Sequence, residues 1–434
     1  MKSISNSEAK AKGEECYRWA ESLFPICRSI TGAGFRETLD FFQNLLSPMK
    51  SYSIPSGERV FDWIVPDEWN ITDAYIENSE GKRVVDFADN NLHVVGYSTA
   101  IDEYLTLDQL QKHLHSIPDQ PNAIPYVTSY YERKWGFCLK EDQRKELKPG
   151  LYRAVINSTL EPGHLNYGEL LIPGKSKKEV FLSSYICHPS MANNELSGPT
   201  LLAAISEYLL TQKDLKYSYR IVFIPETIGS IAYLSKNVDW LKENVVAGFN
   251  LSCIGDDGPF SYVSSRHGNT IADEIVDHVL RNMDPAHTKY SWLDRGSDER
   301  QYCSPGIDLP VVGLCRSKYG EYSEYHTSLD DMQFISPVGL GGSYLMLSRI
   351  IQILERNEAY ASTVLCEPQL GKRGLYPSTS KKGSSRTAKP MTNLLSYCDG
   401  KKSLLEISNI IGVPFWESLD LCDTLLENQL LTKA

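Results

Sequence analysis

The sequence predicts an α/β protein: an open sheet flanked by helices, interrupted by a mainly β insert and closed by a small winged helix-turn-helix unit. Three observations point to it. After Gly150, apolar strand-like runs at 179–187, 219–225, 247–254 and 309–315 alternate with helical stretches, the pattern of a sheet covered by helices on both faces. Between about Ile54 and Lys148 this gives way to short strand-like runs rich in Tyr, Trp and Phe and broken by Pro, Gly and Asn. Beyond Met391, three short helical segments lead to the apolar pair Leu430-Leu431.

Taken in order, residues 16–24 and 35–46 form amphipathic stretches separated by the Gly32-Ala33-Gly34 turn and are expected as helices. The insert carries one helical patch at 107–115. A helix is expected from Ser197, the hydroxyl acting as N-cap, and its run 201–210 is apolar on nearly every face, as burial against a sheet requires. Ser336 as N-cap and Pro337 at the first position open another, to Glu355. Residues 371–389 hold six basic and no acidic side chains among Ser and Gly and form an exposed linker or strap. The final unit has a helix to Cys398, the Asp399-Gly400 turn, a capping box of Ser403 and Glu406, Gly412 as a stop and Pro414 as a new start. The implied units are 1–55 with 150–365 as the main domain, 56–149 as the insert, 366–390 as linker and 391–434 as the winged helix.

At 434 residues the chain exceeds what one core usually serves. An apolar fraction of 41% and a charged fraction of 23% are those of a globular protein. The net charge of −11 disfavours a nucleic-acid partner. In the last unit, six acids against three lysines give −3, which favours docking to protein, within the chain or outside it, over docking to DNA. Residues 1–30 lack the continuous apolar segment of a signal peptide or anchor, and no later run is long enough to span a bilayer. The ten cysteines are scattered without a C-x-x-C pair, as buried thiols in a reducing, cytoplasmic setting would be.

Chemistry on such a sheet collects just beyond the carboxyl ends of the strands. The first long strand runs into His188, and imidazole is the commonest zinc ligand. The next ends in Pro225-Glu226, a carboxylate placed after an apolar run, where desolvation suits it to proton transfer. His326 follows the polar, aromatic loop 318–323. Each alone is unremarkable; three at one edge of one sheet form a candidate reaction centre.

The order of segments also carries a resemblance. His188, then A-N-x-x-x-S-G at 192–198, P-E-x-x-G at 225–229, N-L-x-x-I-G at 250–255, S-D-x-x-x-Y-x-x-x-G-I-x-L-P at 297–310 and Y-H-T-S-x-D-D at 325–331 together resemble the zinc aminopeptidases and glutaminyl cyclases that share one exopeptidase fold. Over nearly its whole length the chain is similar to a bacterial aminopeptidase-like family with an inserted domain of unknown function and a C-terminal winged helix, whose genes are often associated with surface-polysaccharide synthesis. The resemblance implies a zinc-exopeptidase-like (phosphorylase/hydrolase-like) mixed sheet. It makes His188 and His326 metal ligands and Glu226 the general base.

The departures narrow this. Asn194 stands where two-zinc relatives carry a bridging aspartate, Thr227 where they carry a ligand glutamate, and Ser252 where they carry a further aspartate. Without those charges a pair of divalent ions is not expected, and one zinc is. Its third donor is either Asn194, by alignment, or Glu195, by ligand chemistry. Asp298 and Glu299 are placed to orient Glu226 or a ligand histidine, and Arg300 to read a substrate carboxylate. The function expected is hydrolysis of a small peptide or peptide-like amide. The alternative is a non-catalytic aminopeptidase-like scaffold that binds a peptide or glycan precursor.

Overall fold

The computed structural model describes residues 3–375 and 385–434. Its centre is an eight-stranded mixed sheet in the order Lys50–Pro55, His164–Ile172, Ser218–Ile224, Glu179–Tyr185, Val245–Leu251, Val311–Cys315, Ser261–Val263 and Thr288–Tyr290. The four strands from Ser218–Ile224 to Val311–Cys315 are mutually parallel. Those at 179–185 and 218–224 are buried at every position, so they read as continuous apolar runs rather than alternating ones.

Local chemistry starts and stops the flanking helices. Ser5 and Glu8 form a capping box at Asn6–Leu23, Thr270 and Asp273 another at Ile271–Met283, and Ser336 caps Pro337–Arg356 by accepting from the Gly339 N–H. The first and last of these helices cross at Gly13, where a Cβ would lie 2.1 Å from the Pro337 carbonyl oxygen. On the strand His164–Ile172, the helix Ala33–Leu45 brings Phe42 to stack on Phe223 at 4.9 Å. No helix among the described residues is long and apolar enough to cross a membrane.

Ser197 is not an N-cap. The chain enters the helix Ser197–Thr211 through a π turn, Ala192–Leu196, so the Ser197 hydroxyl lies inside the helical run and donates to the Asn193 carbonyl at 2.5 Å.

The insert has its own four-stranded antiparallel sheet, Arg83–Asp86, Glu68–Glu77, Leu151–Glu161 and Ile101–Thr106, over a separate apolar core that includes Ile76, Leu110, Phe137 and Ile156. The strand Leu151–Glu161 lies beyond the expected boundary at 149. Pro149-Gly150 is a break inside the insert, because the strand after it pairs with Glu68–Glu77 and Ile101–Thr106.

At the C-terminus the helices Ser385–Tyr397, Leu404–Ile411 and Phe415–Glu427 sit with a three-stranded sheet of Asp399–Ser403, Ala359–Ser362 and Leu431–Lys433. Asp399-Gly400 therefore begins a strand, and the sheet takes its middle strand from upstream of the expected linker. Of the strap 371–389, residues 376–384 lie outside the described residues. The unit rests on the main domain. The Phe415 N–H donates to His278 Nε2 at 2.9 Å, Arg356 pairs with Asp423 at 2.7 Å, and the Arg349 guanidinium lies 4.7 Å from the Trp416 ring.

Candidate active site

The strands Glu179–Tyr185 and Ser218–Ile224 are parallel with Tyr185 opposite Ile224, so Cys187-His188 and Pro225-Glu226 leave the sheet together. The Glu226 N–H donates to Cys187 Sγ at 3.2 Å. The next residue, Thr227, turns the chain into the helix Ile228–Asn244 with φ 64° and ψ −78°. A β-branched residue at positive φ costs about 1–3 kcal/mol. Asp298 holds it there, its Oδ1 accepting from the Thr227 N–H and the Ser230 hydroxyl, both at 2.8 Å.

His188 Nδ1 is 2.7 Å from Glu195 Oε2, and the Arg28 Nε–H donates to the His188 carbonyl at 2.9 Å. Arg28 Nε is also 3.7 Å from Glu195 Oε1, with both side chains fully buried. Burial pushes the Glu195 carboxyl up. The buried Arg28 opposes that, because a guanidinium keeps its proton and Glu195 is its only counter-charge within ion-pair reach among the described residues. A carboxylate there accepts from Nδ1–H and leaves the Nε2 lone pair free, 3.5 Å from Glu226 Oε2.

His326, at φ 56°, is fixed by the insert: the Tyr126 N–H donates to its carbonyl at 2.9 Å and Pro125 bridges Thr327. The two imidazoles are 5.6 Å apart between centroids, and the Tyr126 ring meets both edge-on at 5.3 and 5.1 Å. Desolvation lowers both to about 3, so they are neutral and able to donate a lone pair at pH 7. Desolvation, then the charge of Asp298, pushes Glu226 well above the usual carboxylate range.

His188, His326, Glu226, Thr227 and Arg300 line one cavity of about 370 Å³ with Tyr126, Tyr130 and Tyr131 of the insert. The other expected residues do not. Glu195 is on the Nδ1 side of His188, away from Glu226. Asn194 gives its N–H to Asp330 at 2.9 Å and its Oδ1 lies 3.8 Å from Cys253 Sγ. Ser252 bonds the Tyr185 hydroxyl at 2.5 Å. Glu299 Oε1 is occupied by the Gly296 and Ser297 N–H groups and the Tyr319 hydroxyl.

Sequence reasoning missed four contributors. Arg28 and Asp330 act through non-local contacts; Asp330 accepts from the Asn193 and Asn194 N–H groups and the Tyr322 hydroxyl, fastening the π turn. Asp330 belongs to the Y-H-T-S-x-D-D segment, and that was its only signal. Tyr126 and Tyr130 were signalled only by the aromatic bias of the insert.

Residues 17–357 match the model of a domain of unknown function (DUF4910), and residues 358–433 match a winged helix-turn-helix. The chain belongs to the DUF4910 family. This DUF4910 protein is 44% identical over 433 residues to a Clostridium acetobutylicum protein with the provisional name of a polysaccharide biosynthesis protein with an aminopeptidase-like domain, covering 99% of this chain and 98% of that one. It superposes on the crystal structure of a provisionally assigned peptidase from the same organism with TM-score 0.92 at 42% identity, over 99% of this chain and 98% of that one. It is also similar to a zinc aminopeptidase of Bacillus subtilis, with TM-score 0.55 at 11% identity over 80% of this chain and 95% of that one. That likeness shows an aminopeptidase-like fold.

The donors on hand decide which metal site this DUF4910 protein can build. Cys187, His188 and Glu195 offer three atoms within 4.8 Å of one another. His188 Nδ1 and Glu195 are at hydrogen-bond distance, closer than the roughly 3.3 Å between two ligands on zinc bonds of about 2.0–2.1 Å. That group is a hydrogen-bonded support. A pair of ions does not fit either, since Asn194, Thr227 and Ser252 bring no negative charge. What the cavity offers one ion is two neutral imidazoles, His188 and His326, 5.6 Å apart between centroids, with the Glu226 carboxyl beside them, its Oε2 3.5 Å from His188 Nε2.

Proposed function

We propose that this chain is a metal-dependent hydrolase of peptide-like amides that works with one zinc ion and Glu226. The observation that carries the reading is His188 Nε2 at 3.5 Å from Glu226 Oε2 in a cavity shared with His326. His188 and His326 would hold the ion, which when bound supplies Lewis-acid polarisation of the scissile carbonyl. Glu226 takes a proton from the attacking water and delivers it to the leaving amine. The charge of an ion held by the two imidazoles would draw Glu226 back to its ionised form, as the base requires. Asp298 holds the strained Thr227 turn that presents Glu226. The cytoplasm is the proposed setting, supported by ten free cysteines, and the name of the Clostridium relative supports a role in polysaccharide synthesis. The winged helix serves docking, to the main domain or a protein partner, and not nucleic acid.

Zinc content and hydrolysis of amide substrates in the wild type and in Glu226→Gln test the reading; equal residual rates would remove Glu226 from the chemistry. A second reading rests on the three neutral positions Asn194, Thr227 and Ser252: a non-catalytic scaffold that binds a peptide or glycan precursor. Zinc titration separates them, since the scaffold takes up no stoichiometric zinc and gains no stability from it.

A further inference from the structure

The cavity is lined by one residue with a permanent positive charge. Apart from the two neutral histidines, its charge-bearing side chains are Glu226 and Arg300. Arg300 is not Glu226's ion-pair partner. Its Nη2 donates to Thr227 Oγ1 at 2.6 Å, while its Nε–H is buried without a hydrogen-bond partner. No carboxylate lies within ion-pair distance of it among the described residues.

The neighbouring acids are committed elsewhere. Glu299 is taken by two backbone N–H groups and the Tyr319 hydroxyl. Asp298 Oδ1 accepts from the Thr227 N–H and the Ser230 hydroxyl, and although its Oδ2 has no partner, the guanidinium donates to the Thr227 hydroxyl instead. The Nε has no surface open to the cavity, so a ligand would be met by Nη1, which makes no hydrogen bond among the described residues and is not among the buried unpartnered atoms. The guanidinium fork fits a planar carboxylate.

The cavity lining is also aromatic. Tyr126 and Tyr130 are linked through their hydroxyls at 2.7 Å, and Tyr131 and Trp63 meet edge-to-face at 5.8 Å at the rim, 56% and 40% exposed. Aromatic faces turned to a cavity enclose apolar or ring-bearing groups.

We infer that the substrate carries a free carboxylate, held by Arg300, next to an apolar or aromatic group enclosed by Tyr126, Tyr130 and Tyr131. The amide cleaved is then of the N-acyl-amino-acid or peptide C-terminal kind, in place of one recognised through a free α-ammonium. The inference rests on the proposed use of this cavity for an amide substrate. Arg300 is its specificity residue, through contact with the substrate anion.

The test is calorimetric binding to the full chain in chelator, so that a carboxylate on a metal cannot imitate one on Arg300. The probes are N-acetyl-phenylalanine, N-acetyl-phenylalaninamide and phenylalaninamide. The acid is expected to bind about tenfold or more tightly than its amide, with the preference lost in Arg300→Gln and partly kept in Arg300→Lys. An amide bound as tightly as the acid, phenylalaninamide bound best, or no binding of the acid at millimolar concentration overturns the inference. The wild-type ratio decides without any variant. If the acid is preferred but zinc-loaded protein cleaves no amide, the hydrolase reading fails and the carboxylate site stands.

Discussion

Glu195 Oε2 lies 2.7 Å from His188 Nδ1, and neither residue is more than a few per cent exposed. A carboxylate in that position fixes the Nδ1–H tautomer and turns the Nε2 lone pair to the cavity. Glu195, one of the two residues expected as third ligand beside Asn194, thus lies on the Nδ1 side of the ring, opposite the nitrogen that faces Glu226. Glu195→Gln should weaken zinc binding by about 10–100-fold and lower the melting temperature, because Arg28 loses its counter-charge. Zinc titration with a competing chelator checks it, and unchanged affinity would show that Glu195 does not set the ligand.

Glu226→Gln separates a proton carrier from a ligand. As the carrier, Glu226 is worth about 10²–10⁴ in kcat, while His188 and His326 keep the ion. Turnover should fall by that range with zinc content unchanged. Loss of stoichiometric zinc in the variant would instead make Glu226 a ligand and end its assignment as the base.

How much of this was legible follows from where each interaction is made. His188 and Glu226 could be read because each follows an apolar strand directly, and His326 because its segment is a local motif. Arg28 reaches the His188 carbonyl across 160 positions and carries no local mark. The π turn at Ala192–Leu196 hid in the same way, since Asp330 fastens it from 136 positions beyond Asn194, and Ser197 then resembled an N-cap. The insert ran past its expected end because Pro149-Gly150 looks like a domain break, while strand membership is settled by pairing with Glu68–Glu77. Local chemistry was readable, and long-range pairing was not.

Glu68 ties the insert to the main domain. It accepts from Arg36 at 2.8 Å, from Asn70 and from the His164 N–H, and the Arg36 hydrogen bond leads in holding its carboxyl down at about 2. A depressed folded pKa stabilises above the unfolded value near 4.5, and the effect is lost as pH falls towards 2. With solvent screening at Arg36, Glu68→Gln should cost about 1 kcal/mol at pH 7. The difference from wild type should shrink between pH 5 and pH 3. Denaturant unfolding across that window checks it, and a pH-independent difference would assign the loss to packing.

His278 makes the docking of the winged helix depend on pH. Its Nε2 accepts from the Phe415 N–H at 2.9 Å, so the proton is on Nδ1, which donates to Asn409 Oδ1 at 2.7 Å. Desolvation leads in lowering His278 below its ordinary 6.5, with Arg281 acting the same way and Asn409 and Asp277 opposing. The docked state therefore favours neutral imidazole. Its contribution is complete above about pH 6.5 and is lost as pH falls through the lower, docked-state pKa. A second proton also sets an N–H against the Phe415 N–H, which cannot turn away without moving the start of its helix. Hydrogen exchange in the helices Leu404–Ile411 and Phe415–Glu427, corrected for the intrinsic rate, should accelerate from pH 7.5 to pH 5.5, and His278→Gln should abolish that pH dependence. The same acceleration in the variant would place the sensitive group elsewhere on the interface, with the Arg356–Asp423 pair the next to examine.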